Sequence, residues 1–304
     1  MSLPEASTVT TSSTTRPARA TVPAGEATQP KPSGRWSARA ISLLLWGYAA
    51  IALFPLVLMA LNSLRPSAEI YASPLALPTS PTLDSYARAW QDASFASYFR
   101  NSVVVTVGAV ALGTAVSVLA AYPLGRYVFF GSRWLSLYFL SGLMLPIRLA
   151  ILPIFYLLAS LSLVDSHLGI ILVYAASGVP FSVFILSTFF RQLPRELEEA
   201  ARIDGAGELA IFGRVLLPLV RPAVATVVVF QFVPLWNDFF FPLVLLRSTE
   251  KATLPVGLTT FFGQFQTDWS TLFAGLMIAT VPLVVLFVVA TKQIVAGLTA
   301  GIGK

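Results

Sequence analysis

The sequence has no cysteine and one histidine, His167, and only 11% of its 304 residues are charged. Without cysteine there are no disulfides, thiol nucleophiles or cysteine-ligated metal sites. A single histidine excludes a multi-histidine metal site, and we expect neither a metal nor another cofactor. Average globular domains carry about 25% charged residues, so this chain has too little charge to cover a soluble surface.

Hydrophobic residues, in contrast, make up 56% of the chain, and the mean hydropathy is +0.77. A soluble fold could not bury so much apolar surface beneath so few charges, which indicates that lipid surrounds much of the chain. The N-terminal segment differs, because residues 1–39 are rich in Ser, Thr, Pro and Ala and contain almost no aliphatic residues. Such a segment cannot offset its ordering entropy by burial. We predict a disordered tail over residues 1–39 and a membrane domain over residues 40–304.

Six apolar runs follow the tail, each close to the roughly 20 residues that a helix needs to cross about 30 Å of hydrocarbon. They cover residues 40–61, 101–122, 134–158, 168–190, 222–246 and 272–294. Barrel strands would instead show segments of about ten residues with alternating hydrophobicity. The runs predict an all-α integral membrane protein with six transmembrane helices, of which Pro146 and Arg148 interrupt the third.

The placement of lysine and arginine predicts the orientation, because basic residues accumulate on the cytoplasmic side of a membrane. Six crossings put both termini on one side. Most basic residues lie on that side, and the excess remains when the tail is left out. We therefore predict a multi-pass protein of the bacterial inner membrane with both termini in the cytoplasm. The net charge of +6 is then a topology signal, and nucleic acid is not expected as a partner.

The fourth loop, residues 191–218, begins with the pattern of an amphipathic helix. Pro194 suits the first turn of a helix, and the three glutamates that follow complement the positive end of its dipole. Leu197, Ala200 and Ala201 are spaced to form one apolar face of small residues.

The loop continues as a turn and a second helix. Gly205 suits the left-handed conformation that stops a helix. A second amphipathic stretch, with Leu209, Phe212, Leu216 and Leu217 on its apolar face, then runs to Pro218 at the start of the fifth span. The residues predict a cytoplasmic helix, a sharp glycine turn and a second helix that joins the membrane. Such a hairpin could dock on a partner, or it could lie in the lipid headgroups and hold two spans together.

The motif residues in this loop resemble a known signature. Glu199-Ala200-Ala201, then three residues, Gly205, nine residues and Val215-Leu216-Leu217-Pro218 resemble the EAA loop of the membrane subunits of bacterial ABC importers. That loop is written EAA-x3-G-x9-I-x-L-P, and Val215 is the one conservative departure from it. The string EEAARIDGAG, with Trp236-Asn237-Asp238 and the closing GLTAG, is similar to the carbohydrate-uptake permeases of the maltose type, in particular the shorter partner. The resemblance covers about residues 41–304.

The resemblance implies the type I permease fold of ABC importers. It also implies a function, which is to form half of a carbohydrate pore and to couple to a separate ATPase through the EAA loop. Coupling residues implied in this way are Glu199, Ala200, Ala201, Asp204, Gly205 and Pro218. Glu199 would meet the ATPase, the two alanines would permit close approach, and Gly205 would set the turn.

The resemblance further implies the partners. These are a second permease subunit in a heterodimer, a dimer of cytoplasmic ATP-binding subunits, an extracytoplasmic sugar-binding protein and membrane lipid. The two sizeable outer segments, residues 62–100 and 247–269, are the regions that would meet the binding protein.

Polar residues inside the spans are candidates for function, because Arg or Asp at mid-membrane costs about 2.5–3.5 kcal/mol. Arg148 and Asp238 lie at matching depth, roughly 22–26 Å from the inner surface at 1.5 Å per residue. One interpretation is a polar patch along the translocation path, shared with Gln231, Trp236 and Asn237, because sugars need hydrogen-bond partners and aromatic faces. The other is a structural ion pair, or an arginine that snorkels outward.

Other functions are less consistent with the sequence. The C-terminal GLTAGIGK imitates a phosphate-binding loop but has five residues, not four, between Gly297 and Gly303, so we do not expect this chain to hydrolyse ATP. An ATP-independent secondary transporter is the alternative function, although such proteins usually have paired repeats and more than six spans. An intramembrane enzyme would need a catalytic set that is missing here, and we predict that the chain is not an enzyme.

Overall fold

The computed structural model describes the backbone of residues 35–92, 94–262 and 267–302, and the side chains of residues 39–91, 94–262 and 267–291. Every regular element in these ranges is a helix. The α-helices of the described residues, α1 to α14 in chain order, are Arg35–Ser63, Ser67–Ala72, Asp84–Asp92, Phe95–Arg126, Ser132–Gly142, Ile151–Ser160, His167–Gln192, Glu196–Ile203, Glu208–Ala210, Leu217–Leu219, Arg221–Trp236, Phe240–Leu245, Leu254–Gly257 and Trp269–Ile302. Short 3-10 helices cover Ile147–Ala150, Thr249–Lys251 and Leu258–Phe261, and a π-helical segment covers Ile211–Leu216.

The chain divides into two units, Met1–Ala52 and Leu53–Lys304. In the first unit the structure describes the start of α1, and residues 1–34 of the predicted tail lie outside the described residues. Helix α1 begins at Arg35, whereas the sequence predicted its start at residue 40. The reason is that no proline or glycine separates residues 35–39 from the apolar run, so the helix propagates into the polar residues before it. All contacts described below lie within the second unit.

Four helices are long and apolar enough to cross a membrane on their own, namely Arg39–Ser63 within α1, then α4, α7, and Trp269–Thr291 within α14. Two further helix pairs meet the same criteria only as bent pairs, which gives up to six spans among the described residues. Of the six predicted spans, four are therefore continuous helices, and the total reaches six only if each bent pair is one span.

The third predicted span is one of the bent pairs. Helix α5 and the following segment Ile147–Ser160 meet at 85°. Pro146 stands at the break, where it lacks an N–H for the helix and disfavours helical geometry in the residue before it. The sequence marked this position as an interruption, and the structure shows that the helix changes direction there.

The fifth predicted span, residues 222–246, is shorter than expected. Helix α11 ends at Trp236, and α12 begins only at Phe240. The Asn237 side chain donates a hydrogen bond of 2.8 Å to the Val233 carbonyl, and the same carbonyl accepts from the Asn237 backbone N–H. Asparagine competes in this way for backbone partners, which favours a helix end over its continuation. On its other side α11 is bent by 70° from the segment Glu208–Leu219.

A buried apolar cluster joins α4, α7 and α11 to the segment from α8 to α10, residues 196–219, which we call the EAA hairpin. Its buried members are Val118, Ala121, Leu186, Phe190, Ile211, Leu216, Val220, Ala223 and Val227. Helices α4 and α7 approach closely here, because a Cβ atom on Gly125 would lie 2.7 Å from Phe190 Cβ. Small residues allow such close packing between membrane helices. The EAA hairpin is therefore packed onto the ends of the membrane helices.

At the opposite ends of the helices, hydrogen bonds to Asp165 connect the loop before α7 to the segment after α12. Its carboxylate accepts hydrogen bonds from the backbone N–H groups of Arg247 and Ser248, at 2.9 and 3.0 Å, and from the Ser248 hydroxyl. Lys251 Nζ lies 3.2 Å from the same carboxylate. The hydrogen bonds from Ser248, followed by those from the Arg247 N–H and Lys251, hold the pKa of Asp165 below its usual range. His167 is half-buried beside these Asp165 contacts, and its Nε2 lies 3.0 Å from the Lys251 carbonyl oxygen.

Candidate functional site

The turn of the EAA hairpin has the geometry that the sequence predicted. Gly205 has a φ of +81°, in the left-handed region. Its N–H donates to the Arg202 carbonyl at 3.0 Å, and the N–H of Ala206 donates to the Ala201 carbonyl at 2.9 Å. These two bonds form a Schellman motif with glycine at its left-handed position. The prediction that Gly205 stops α8 in the left-handed conformation is confirmed.

Helix α8 has an outer and an inner face. Glu199, Ala200 and Asp204 are exposed, and Ile203 beside them is 86% exposed. Ala201, on the opposite side of the helix, is half-buried and packs against the apolar cluster defined above. The sequence grouped Ala200 and Ala201 on one face, whereas the structure separates them.

The second half of the hairpin also differs in detail from its apolar pattern. Leu209 is 87% exposed, although the pattern placed it on the buried face. Ile211 and Leu216 are fully buried, and Pro218 is half-buried. Leu209 lies before the π-helical segment Ile211–Leu216, whose extra residue per turn changes the spacing of the side chains only from Ile211 onward.

An ion pair that the sequence analysis missed holds α8 against the membrane domain. Arg126 Nε, at the end of α4, lies 2.5 Å from Glu198 Oε1, and the two side chains are only 3% and 8% exposed. Arg126 also donates to the carbonyl groups of Phe190 and Leu193, at 2.9 and 2.7 Å. The arginine therefore joins the end of α4, the end of α7 and the EAA hairpin.

A second set of polar contacts extends from this pair. Arg202 donates to Glu208 Oε1 at 2.8 Å, and so links the two halves of the hairpin across the turn. The Tyr127 hydroxyl donates to Glu208 Oε2 at 2.8 Å and shares a 2.7 Å hydrogen bond with the Tyr122 hydroxyl. Both tyrosines lie at the end of α4, so each half of the hairpin is tied to that helix.

Arg148 and Asp238, the charged residues predicted to lie at matching depth, meet in the structure. Arg148 Nη2 lies 3.6 Å from Asp238 Oδ1. The pair is asymmetric, because the arginine side chain is 73% exposed and the aspartate side chain 8%. Asp238 also accepts hydrogen bonds from the Tyr174 hydroxyl at 2.6 Å and from the Phe241 N–H at 3.3 Å. The carboxylate is therefore held by the protein, and the guanidinium group extends from an anchored partner.

The other candidate path residues divide into exposed and buried ones. Asn237 is exposed. Gln231 is buried and donates to the Ser182 hydroxyl at 2.7 Å. Trp236 is buried too, and its Nε1 donates to the Ala279 carbonyl at 3.0 Å. Gln231 and Trp236 therefore hold helices of this chain together and face no open surface, in contrast to the patch that the sequence suggested.

The described residues contain no candidate metal site, because no three or more His, Cys, Asp or Glu side chains among them are grouped so that they could hold an ion. The chemistry of the described sites is that of ion pairs and hydrogen bonds.

Comparison with known proteins identifies similar membrane subunits. The family model described as "Binding-protein-dependent transport system inner membrane component" matches residues 113–300. The diacetylchitobiose uptake system permease protein NgcG of Streptomyces coelicolor is 36% identical over 261 residues, which are 85% of this chain and 86% of that protein. The arabinooligosaccharides transport system permease protein AraQ of Halalkalibacterium halodurans is 37% identical, and the match covers 83% of this chain and 91% of that protein. The maltodextrin transport system permease protein MdxG of Bacillus subtilis is 34% identical, with coverages of 85% and 93%.

A solved structure has the same fold. It is a bacterial ABC transporter involved in the import of the acidic polysaccharide alginate, and one of its chains matches with a TM-score of 0.78 at 24% sequence identity. The match covers 88% of this chain and all of that one. The predicted all-α permease fold is confirmed.

Proposed function

This chain belongs to the family of binding-protein-dependent transport system inner membrane components, and we propose that it forms half of the pore of an ATP-driven carbohydrate importer. The observation that carries this proposal is the EAA hairpin. Its motif lies within the matched residues, its turn has the required left-handed glycine, and its outer face is exposed beside the membrane domain. A hairpin that merely held two spans together would not need an exposed face carrying Ile203 and Leu209.

The relatives support a saccharide as the transported molecule. Three of them are named for the transport of diacetylchitobiose, arabinooligosaccharides and maltodextrin, which are all short sugar polymers. We assign an oligosaccharide to this chain as a substrate class.

The coupling surface is the outer face of α8, with Glu199, Ala200 and Asp204, and the turn at Gly205. Ala201 and Pro218 belong to the inner side and support this face from beneath. ATP hydrolysis takes place on a separate cytoplasmic subunit, and this chain supplies no catalytic group. The ion pair of Arg126 with Glu198 passes motion of the hairpin on to α4 and α7, because it bonds to both.

The remaining partners and the topology follow the same proposal. A second permease subunit completes the pore as a heterodimer, and an extracytoplasmic sugar-binding protein docks on residues 62–100 and 247–269. Hydrogen bonds already tie these outer regions together, since Ser67 donates to Asp268 at 2.8 Å and Tyr71 to the Thr267 carbonyl at 2.9 Å. The chain lies in the inner membrane with both termini in the cytoplasm, where its excess of basic residues is concentrated.

ATP dependence tests the function against its alternative. In a strain lacking this chain, complementation should restore uptake of labelled diacetylchitobiose, arabinooligosaccharide or maltodextrin. Depletion of ATP at a maintained proton gradient should abolish that uptake. Uptake that survives ATP depletion but is lost when the gradient is collapsed would identify a secondary transporter instead.

The anchored ion pair gives a prediction for the translocation path. Arg148→Gln should lower uptake while membrane abundance stays near the wild-type level, because Asp238 keeps its hydrogen bonds from Tyr174 and Phe241. Tyr174→Phe should lower abundance, because a hydrogen bond to a charged group contributes about 1.5–3 kcal/mol. Quantitative immunoblotting of membranes and initial uptake rates measure the two effects.

The double variant Arg148→Gln with Asp238→Asn serves as the control for these residues. A purely structural pair would recover abundance in the double variant relative to Asp238→Asn alone, and path residues would show a compounded loss of uptake. Equal loss of abundance in Arg148→Gln and Tyr174→Phe would contradict the proposed asymmetry.

The N-terminal tail is predicted to be dispensable for transport. Its composition offers no apolar core, and deletion of residues 2–33 keeps Arg35 and Arg39 as the basic anchor of α1. Uptake per copy of membrane-inserted protein should equal that of the full chain. A loss of uptake at unchanged abundance would show that the tail has a role in transport.

A further inference from the structure

A basic cavity of about 360 Å³ opens at the cytoplasmic ends of α4, α5 and α7. Arg133 on α5, Arg191 on α7 and Arg195 just before α8 line it, together with the hydroxyl groups of Ser132 and Ser136. The residues come from three separate elements, and all of the titratable side chains that line it other than Tyr127 are arginines. The cavity thus presents convergent positive charge and hydroxyl donors.

The described residues do not neutralise the charge of this cavity. Among the described residues, no carboxylate oxygen lies within 4.0 Å of a side-chain nitrogen of Arg133, Arg191 or Arg195. Arg126, which also borders the cavity, is paired with Glu198. An anionic group from outside the chain would complete the site, because arginine favours the bidentate binding of phosphate oxygens.

An apolar groove of about 330 Å³ continues from the cavity along α5 and α7. The two share lining residues, among them Arg133 and Arg191, and the groove adds the exposed apolar side chains of Leu137, Leu140 and Phe184. A ligand that fills both is anionic at one end and apolar at the other. The arginines lie at the cytoplasmic face and the groove runs into the hydrocarbon, which is how a phospholipid of the inner leaflet is oriented.

We propose that an anionic phospholipid binds here, with its phosphate among Arg133, Arg191 and Arg195 and an acyl chain in the groove. Basic pockets between membrane helices on the cytoplasmic side are known binding sites for anionic headgroups. Free phosphate would account for the arginines but not for the groove, and a packed partner helix would account for the groove but not for the unpaired charge. The bound lipid would adjoin Arg195 at the start of α8 and so contact the base of the EAA hairpin. This site does not depend on which molecule the pore transports.

Native mass spectrometry of the purified, delipidated importer tests the proposal. Phosphatidylglycerol is expected to bind at one site per copy of this chain, and phosphatidylcholine of equal chain length much more weakly. Single changes Arg133→Gln, Arg191→Gln and Arg195→Gln should each weaken phosphatidylglycerol binding about fivefold, and the triple change on the order of a hundredfold. Arg221→Gln is the matched control, because Arg221 is exposed at the same membrane face and lines neither cavity. The single variants keep the test informative if the triple variant does not assemble.

Two further arms separate the lipid from other occupants. Leu140→Trp fills the groove and should weaken phosphatidylglycerol binding while all three arginines remain. Inorganic phosphate at millimolar concentration should compete poorly. Strong competition by phosphate with no effect of Leu140→Trp would replace the lipid by a free anion. The proposal would be overturned if the two phospholipids bound equally well, or if Arg221→Gln weakened binding as much as the cavity variants do. It would also be overturned if the isolated chain bound the lipid but the assembled importer did not.

Discussion

Glu198→Ala is expected to abolish uptake and to lower the amount of assembled importer, the largest effect that we predict for any single substitution. The change leaves the buried guanidinium group of Arg126 without its carboxylate. Removing one partner of a buried pair costs about 3–5 kcal/mol, because the other charge stays desolvated and uncompensated. Helix α8 would lose its ion pair with α4, and the hairpin would keep only the hydrogen bond from Tyr127 to Glu208 and its apolar contacts with that helix. The coupling surface would then be held less firmly even in the protein that inserts.

Glu196→Ala is the matched control for this prediction. Glu196 lies in the same first turn of α8 and is exposed, so its removal should leave abundance and uptake near wild type. The double change Arg126→Met with Glu198→Leu should recover part of the abundance, because apolar residues often replace a buried pair at little cost. Recovery should be incomplete, since Arg126 also bonds to the carbonyls of Phe190 and Leu193. Indistinguishable results for Glu198→Ala and Glu196→Ala would show that the pair does not position the hairpin.

Gly205→Val is the second substitution with a large expected effect, and it acts on coupling rather than on assembly. A Cβ atom at Gly205 would meet nothing within 4 Å, so the cost comes from the backbone alone. At a φ of +81° that cost is about 1–2 kcal/mol for an L-residue, and valine adds its own restriction at Cβ. Such a cost changes the population of the native turn about 5- to 30-fold, and we expect uptake to fall by a similar factor at unchanged membrane insertion.

Two variants of the same loop isolate the backbone effect. Gly207 also has open space around it but has a φ of −74° and an extended ψ, so Gly207→Val should be tolerated. Gly205→Asn should transport better than Gly205→Val, because asparagine adopts the left-handed conformation more readily. If uptake falls equally in Gly205→Val and Gly207→Val, the size of the side chain matters and the turn conformation does not.

Local features of the site could be predicted from the sequence because their determinants are adjacent in the chain. The stop of α8 at Gly205 needs only a helix followed by a residue that tolerates positive φ. Arg148 and Asp238 do meet, but the depth predicted from 1.5 Å per residue assumed straight helices, whereas Arg148 lies beyond the 85° bend after α5 and Asp238 lies beyond the end of α11. The apolar runs predicted six spans, and the described residues contain four continuous ones and two bent pairs that could supply the others.

Contacts between distant segments could not be predicted by these means. Three glutamates open α8, and no local rule distinguishes Glu198, which pairs with an arginine 72 residues earlier, from its exposed neighbours. Trp236 was interpreted as an aromatic face for sugars. The sequence does not show that its Nε1 donates to the Ala279 carbonyl, because that carbonyl belongs to another helix. The π-helical segment and the break at Asn237 shifted the hairpin and the fifth span away from regular helical periodicity.

Site-specific crosslinking tests most directly the central claim, that the outer face of α8 couples this permease to a separate ATPase. The chain has no cysteine, so Ala200→Cys provides a unique attachment point within it for a thiol-directed photo-crosslinker, and Ala201→Cys provides its neighbour on the inner face. The measurement is the yield of crosslinked product with the ATP-binding subunit in membranes that retain ATP-driven uptake. We predict a high yield from Ala200→Cys and a yield several times lower from Ala201→Cys. Absence of any ATPase crosslink from Ala200→Cys in transport-competent membranes would contradict the account.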